Sequence, residues 1–434
     1  MFKKFIFSFL FLVTFINPVY ASLEIDITKA SNSAMPIALP YFIPNQNSVS
    51  DVSRDIVNVI QTDLESTGFF KTIARQAYVQ KFSLSNPVPN FGVWKQIDAQ
   101  VLLTGKVEDK GNGKMLIEWA LWDVYNGKYL VATRYTSSKD NWRRMAHKIA
   151  DEIYYNITGD GRLFDSRIVY ISEEGPANRR VKRLAIMDQD GANHKYLSSG
   201  RNLVLTPRFS PAEHEIVYLS YGKRGYPRVR IRDIQTGQEE VLGNFRGMSF
   251  APRFSNSGNK IVLSVAARGN TEVYEYNLNS RRSVRLTNSS GIDTSPYYSP
   301  DDRKIVFNSD RGGSQQLYVM NKDGSNIKRI SFGGGNYSTP VWSPDGRYIS
   351  FTKSRGGKFM IGVMNADGSN EKILSTNFLV EGPSWSPNSR FLVYTKKDRG
   401  GIPKLWKVSI NGRYNKPLPT PKGASDATWS ALLK

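Results

Sequence analysis

"PVWSPDGRYISF", from Pro340 to Phe351, is one copy of a phrase that this 434-residue chain repeats. The other copies are "PRFSPAEHEIVYL" from Pro207, "PRFSNSGNKIVLS" from Pro252, "PYYSPDDRKIVFN" from Pro296 and "PSWSPNSRFLVYT" from Pro383. A fragment, "ATWSALLK", ends the chain. The motif serines, Ser210, Ser255, Ser299, Ser343, Ser386 and Ser430, lie 43 to 45 residues apart. Leu197, Leu242, Leu286, Ile330, Leu374 and Leu418 form a second series with spacings of 44 or 45. This period, with about four strand signals per unit, indicates propeller blades.

Each unit reads as strands A to D. Strand A is the "PxWS" piece: proline opens it, where a missing N–H costs little, and the aromatic wedges between blades. "SPDG" is a turn, since Pro presets φ, Asp caps and Gly tolerates φ > 0. "IVF" or "YISF" is strand B and "LYVM" or "LWKV" strand C, while "NKDGSN" and "NADGSN" are hairpin turns into strand D. The first B strand, "RIVYIS" from Arg167, has no "PxWS" before it, and the last "ATWS" has no B strand after it. Joined, they complete a sixth blade. The expected architecture is an all-β six-bladed propeller over residues 166–434, closed by the C-terminal strand, with no open edges.

Upstream the pattern changes. "SDVSRDIVNVIQTDLESTG" puts Val52, Ile56, Val59, Ile60 and Leu64 on one helical face, with Ser or Asp at its start and Gly68 at its stop. "QVLLTGKVED", "KMLIEWALWDVYNG" and "KYLVATRYTS" read as three antiparallel strands. "NWRRMAHKIADEIYYNITG" is a second amphipathic helix, carrying Trp142, Met145, Ile149, Ile153 and Ile157 on its apolar face and ended by Gly159. Residues 22–165 therefore form a small α/β domain.

Residues 1–21 pair a basic start, "MFKK", with an apolar run from Phe5 to Ile16 and end in "VYA". The run is shorter than the roughly 20 residues a spanning helix needs. It reads as a cleaved secretory signal, with an uncleaved anchor as the alternative. The mature chain is then exported and does not span a membrane. The formal charge of +21 suits an anionic neighbour; export argues against nucleic acid. With no cysteine, disulfides, thiol catalysis and Cys-metal sites are excluded.

Catalytic patterns are not met. The three histidines, at 147, 194 and 214, form no HExxH, and "GMSFA" departs from G-x-S-x-G. "DQDG" at Asp188 could suggest calcium, but it falls where a hairpin turn is expected. The expectation is a non-enzymatic, monomeric chain without cofactor or metal. A binding surface is easier to argue. The B–C loops hold Arg224, Arg268, Arg311, Arg355 and Arg399 in one register. They form either a cationic steering ring or a set of local pairs, for example with Asp310 or Asp398. The D–A loops open onto the same rim and suit a protein or peptide ligand; Tyr337 and Glu381 are the candidates for a glycan or small-ligand mouth.

Three further segments carry a resemblance: "LEIDIT" after the signal, "PIALPYF" (Pro36 to Phe42) and "MAHKIADEIYYNITGDGRLFDSRIVYIS" (Met145 to Ser172). With the repeats, they make nearly all of the mature chain similar to the TolB family of the bacterial Tol–Pal system. The resemblance implies a periplasmic protein whose propeller face binds the lipoprotein Pal and whose mature N-terminus (22–34) engages TolA, in support of the outer membrane and its constriction at division. Carried over by motif, the Pal face falls on Met248, Ala251, Thr294, Ser295, Thr339 and Glu381. The TolA segment falls on Ser22, Leu23, Glu24, Ile25, Asp26, Ile27 and Thr28. Ala30, where many relatives carry glycine, and the high basic charge depart from the family.

Overall fold

The structure, a computed structural model, describes residues 34–211, 214–222, 227–243, 245 and 247–434. The expected signal, the segment Ser22 to Thr28, and Arg224 lie outside the described residues.

The N-terminal region builds one mixed sheet with helices on it. Strands β1 (Met35–Ala38), β2 (Ile43–Pro44), β3 (Phe70–Thr72), β4 (Val101–Gly111), β5 (Lys114–Asp123) and β6 (Lys128–Ser138) run in the order β3-β1-β4-β5-β6, with β2 also on β4. The meander β4-β5-β6 is antiparallel, as its alternation predicts, whereas β1 is parallel to both its neighbours. Helix α1 (Ser50–Glu65) buries Ile56, Val57, Val59, Ile60 and Leu64. It grows out of a short 3-10 turn at Val49 with no side-chain cap, contrary to the expected Ser or Asp cap. A short helix, α2 (Phe91–Lys95), which the periodicity did not reveal, buries Trp94. Helix α3 (Trp142–Thr158) buries Ile149, Ile153 and Ile157 and ends on left-handed Gly159, at φ 70°.

From Arg167 onward six four-stranded antiparallel sheets follow one another. Blades 1 to 5 begin with strands A at Leu203–Phe209, Met248–Phe254, Asp293–Tyr298, Asn336–Trp342 and Leu379–Trp385. Blade 6 takes strand A from the C-terminus, Gly423–Trp429, and strands B to D from Arg167–Glu174, Val181–Asp188 and Lys195–Tyr196. Trp429 pairs with Ile168, and Thr428 with Val169.

The repeated serine shows why the phrase recurs. Its hydroxyl accepts from the N–H that opens strand B: Lys260 to Ser255 at 3.1 Å, Lys304 to Ser299 at 2.9 Å, Tyr348 to Ser343 at 2.9 Å and Phe391 to Ser386 at 3.0 Å. At the seam Arg167 donates to Ser430 at 2.9 Å, the same bond across 263 residues of sequence. The ring is thus closed by its ordinary blade chemistry.

The two regions share one apolar cluster. It runs from Leu64, Ile149 and Ile157 through Leu163 and Phe164 to Ile168, Phe391, Leu405 and Trp429. The connection 159–166 is pinned by buried Asp151, which accepts from the N–H groups of Leu163, Phe164 and Asp165 at 2.6, 2.8 and 3.0 Å. Burial nevertheless pushes its carboxyl up to about 6 against those bonds.

Polar groups are buried beside this cluster. His147 Nδ1 lies 2.6 Å from Asp63, whose other oxygen accepts from Gln189 Nε2 at 2.7 Å. Burial favours the neutral imidazole, but the Asp63 carboxylate outweighs it and raises the pKa to about 9. Lys407, wholly buried, reaches only the Ser66 hydroxyl, at 2.9 Å, and lies 4.6 Å from the centre of the Phe391 ring. Burial lowers its pKa to about 8, against the pull of Asp63 and Asp190. Asp63, His147 and Asp190 could between them offer ligands to a metal. Arg143, ion-paired to Asp190, and Lys407 already supply the positive charge there. At "DQDG", Asp188 accepts from Asn193 at 2.6 Å, the turn chemistry expected.

Candidate functional site

The N-terminal domain occupies one face of the propeller. It contacts the A–B and C–D turns of blades 5 and 6, strand C of blade 5 through Lys407, and the C-terminal tail through Arg144, which donates to the Lys434 carbonyl at 2.7 Å. Asn388 donates to the Gly161 carbonyl at 3.0 Å, Arg390 to Asp160 at 2.6 Å, and Gln189 and Lys407 to Asp63 and Ser66 as above. A seven-residue strand A is roughly 23 Å long at about 3.3 Å per residue. The D–A and B–C loops lie at its other end and are left open.

Midway along its length every strand A breaks register against strand B. A left-handed residue stands at each break: Thr206, Ala251, Ser295, Thr339, Gly382 and Asp426, with φ between 47° and 64°. For a side chain other than glycine this costs on the order of 1 kcal/mol or more, so five such residues at one register, with Gly382 at the sixth, are imposed by the fold. The bulge also locks blades together. Ser295 donates its N–H to the Ser264 hydroxyl of the preceding blade at 3.2 Å, Gly382 to Thr352 at 3.3 Å and Asp426 to Thr395 at 3.0 Å.

The residues carried over by motif gather around this ring. Ala251, Ser295 and Thr339 are bulge residues, and Glu381 directly precedes the bulge glycine. Thr294, beside Ser295, accepts from Asn308 at 2.7 Å. Met248 starts its strand and is exposed. Burial, and then the Asp426 carboxylate, raise the pKa of Glu381. Sequence reasoning missed Thr206 and Asp426, which occupy the same register; in the last blade Ala427 replaces the marker proline.

It also missed an apolar set on this face: Leu203, Met248, Ile292, Phe332, Phe378 and Ile402, each between 42% and 72% exposed. Leu203, Met248 and Ile292 keep the repeat spacing, which was the available signal. Single exposed apolar residues are ordinary; these six all stand on the loop face that the N-terminal domain leaves free.

The B–C arginines do not behave alike. Arg311 is drawn to buried Asp293 at 2.7 Å and stacks near Phe307 and Tyr318. Asp310 and Asp398 are not the expected partners: they accept from the Ile292 N–H and from Asn377. Arg399 lies 5.8 Å from the Phe378 ring, while Arg268 and Arg355 are exposed. Tyr337 is corrected as a mouth residue. It is fully buried, with its hydroxyl 2.6 Å from Glu371.

The family pattern described as the TolB beta propeller domain matches residues 154–433, and that of the TolB amino-terminal domain matches residues 23–130. The chain belongs to the TolB family. A relative from Paramagnetospirillum magneticum, "Tol-Pal system protein TolB", is 49% identical over 238 residues, 55% of this chain and 53% of that one. The match thus spans about half the length of that curated relative. The crystal structure of TolB from Acinetobacter baumannii superposes with a TM-score of 0.83 at 28% identity, covering 92% of this chain and 97% of that one. Hydrazine synthase from Kuenenia stuttgartiensis, at 13% identity and TM-score 0.51 over 63% of this chain and 47% of that one, shares the fold alone. Family membership therefore rests on both domains and on their common arrangement. Among the described residues no helix is long and apolar enough to cross a membrane.

Proposed function

We propose that this chain is a periplasmic protein–protein adaptor of the Tol–Pal system. The open propeller face takes Pal, the segment Ser22 to Thr28 takes TolA, and the chain works by binding, with no bond made or broken. The observation that carries this is the apolar set around the bulge ring, on the face the N-terminal domain leaves free. It offers a protein core-like contact within a polar rim, the usual anatomy of an interface. Among the described residues Arg268, Arg311, Arg355 and Arg399 would steer an acidic partner, with Arg311 contributing least because Asp293 already neutralises it. A glycan or small-ligand mouth is less well supported once Tyr337 is buried. Linkage makes the two partners reciprocal: if Pal and TolA favour different placements of the N-terminal segment, each alters the other's affinity. In this proposal the adaptor supports outer-membrane integrity and division.

The test is calorimetric titration of the mature chain with the soluble domain of Pal. Met248→Asp and Thr339→Arg are expected to weaken binding by about tenfold or more, the usual loss at a central contact. Unchanged affinity in both variants overturns the placement of the face. Deleting residues 22–30 is expected to abolish TolA binding; if TolA binding and Pal affinity both stay the same, the relay fails.

A further inference from the structure

The lower half of the propeller channel, away from the open face, holds two buried cations that have no ion-pair partner among the described residues. The residue after the repeat proline, or after Ala427 in the last blade, lines this stretch: Arg208, Arg253, Tyr297, Ser384 and Thr428 surround a cavity of about 510 Å³. Only blades 1 and 2 place arginine there. Arg208 is 9% exposed and Arg253 8%. Arg208 donates one nitrogen to two neutral oxygens, the Pro207 carbonyl at 2.6 Å and the Thr428 hydroxyl at 3.0 Å, while its Nε is buried with no partner. The Arg253 guanidinium lies 5.1 Å from the centre of the Tyr297 ring and has no hydrogen-bond acceptor among the described residues. Burial lowers the pKa of both, Arg253 also through Arg208, and Asp426 offsets this only in part.

Buried charges are normally paired, because removing a charge from water costs several kcal/mol. A guanidinium remains protonated, so this lining favours negative charge in the cavity. Two guanidinium forks with the Ser384 hydroxyl beside them form a donor-rich lining, which matches an oxyanion better than a halide; the Thr428 hydroxyl is spent on the Pro207 carbonyl, 2.8 Å away. We propose that the lower channel is a binding site for a small free oxyanion of the phosphate type, held by Arg208 and Arg253. The site is separate from the open face, and the inference does not depend on what that face binds.

The test is calorimetric titration of the full chain with inorganic phosphate at constant ionic strength, with acetate and chloride as parallel arms. Saturable binding at one site per chain is expected for phosphate, weaker binding for acetate, and none for chloride. Tm should rise with the logarithm of phosphate concentration. Arg253→Gln and, separately, Arg208→Gln should each weaken phosphate binding by about tenfold or more, as loss of a charge-assisted bond implies. Arg253→Gln should not lower the phosphate-free Tm, because no acceptor in the protein is left unpaired; that distinguishes a ligand-binding arginine from a structural one. No saturable binding, binding undiminished in both variants, or an equal response to chloride overturns the proposal.

Discussion

The two faces of the propeller are built from the same repeats and have opposite characters. On the face under the N-terminal domain, apolar burial is continuous across the junction, and charged groups are sealed against one another: His147 with Asp63, Arg390 with Asp160, Lys407 with a single hydroxyl. On the other face, apolar side chains stand in solvent around strained backbone. Loops at equivalent ends of a blade thus serve stability on one side and are free for recognition on the other. One face is satisfied within the molecule; the other leaves its apolar side chains in solvent.

Substitutions can break or sharpen this contrast. The largest effect is expected from removing residues 423–434, which deprives blade 6 of its inner strand and exposes the edge of strand B. Cooperative thermal unfolding of the propeller should vanish; a preserved sharp transition would contradict closure by the tail. Next is Asp63→Ala, which strands His147 and Lys407 in the junction. Breaking a buried pair by removing one partner costs about 3–5 kcal/mol, so urea unfolding should shift strongly.

Lys407→Met tests the same face with the opposite sign. Its charge is buried on a hydroxyl and aromatic rings, so replacing it should stabilise by about 1–3 kcal/mol at neutral pH. The pKa of Lys407 is lowered from 10.5 to about 8. Between these values the unfolded chain holds the proton that the folded chain has released, so the wild type gains stability as pH rises. The advantage of the variant should therefore shrink from pH 8 to 10.5 in paired unfolding curves, and an advantage that grows would refute the assignment. The smallest effect on stability belongs to the open face. Met248→Asp should change unfolding by less than about 0.5 kcal/mol, as surface changes usually do, while it weakens binding of the partner. A large loss of stability there would erase the distinction between the faces.

Much of this was legible in the residues. The serine spacing and the split phrase at Arg167 and Trp429 announced six blades and their closure, since a motif that recurs in one hydrogen-bonded role must recur in one geometry. Among the residues that the family resemblance placed just ahead of the repeat prolines, Ala251, Ser295 and Thr339 are bulge residues. Helix α2, the parallel placement of β1, and the partners of Arg311 were not legible. Short elements carry little periodicity, and ion pairs depend on side chains that meet across strands. Arg311 and Asp293 are 18 residues apart, whereas the nearer Asp310 is occupied by a backbone N–H.

By itself the sequence determined the number of blades, the order in which the chain lays them down, and the completion of the last by the first, because each is a matter of local strand and turn chemistry repeated along the chain. Only the tertiary structure decided which face stays open, that one apolar cluster spans both domains, and that Arg208 and Arg253 line one cavity. Those facts depend on distances between residues tens to hundreds of positions apart, which burial and packing set and spacing along the chain does not.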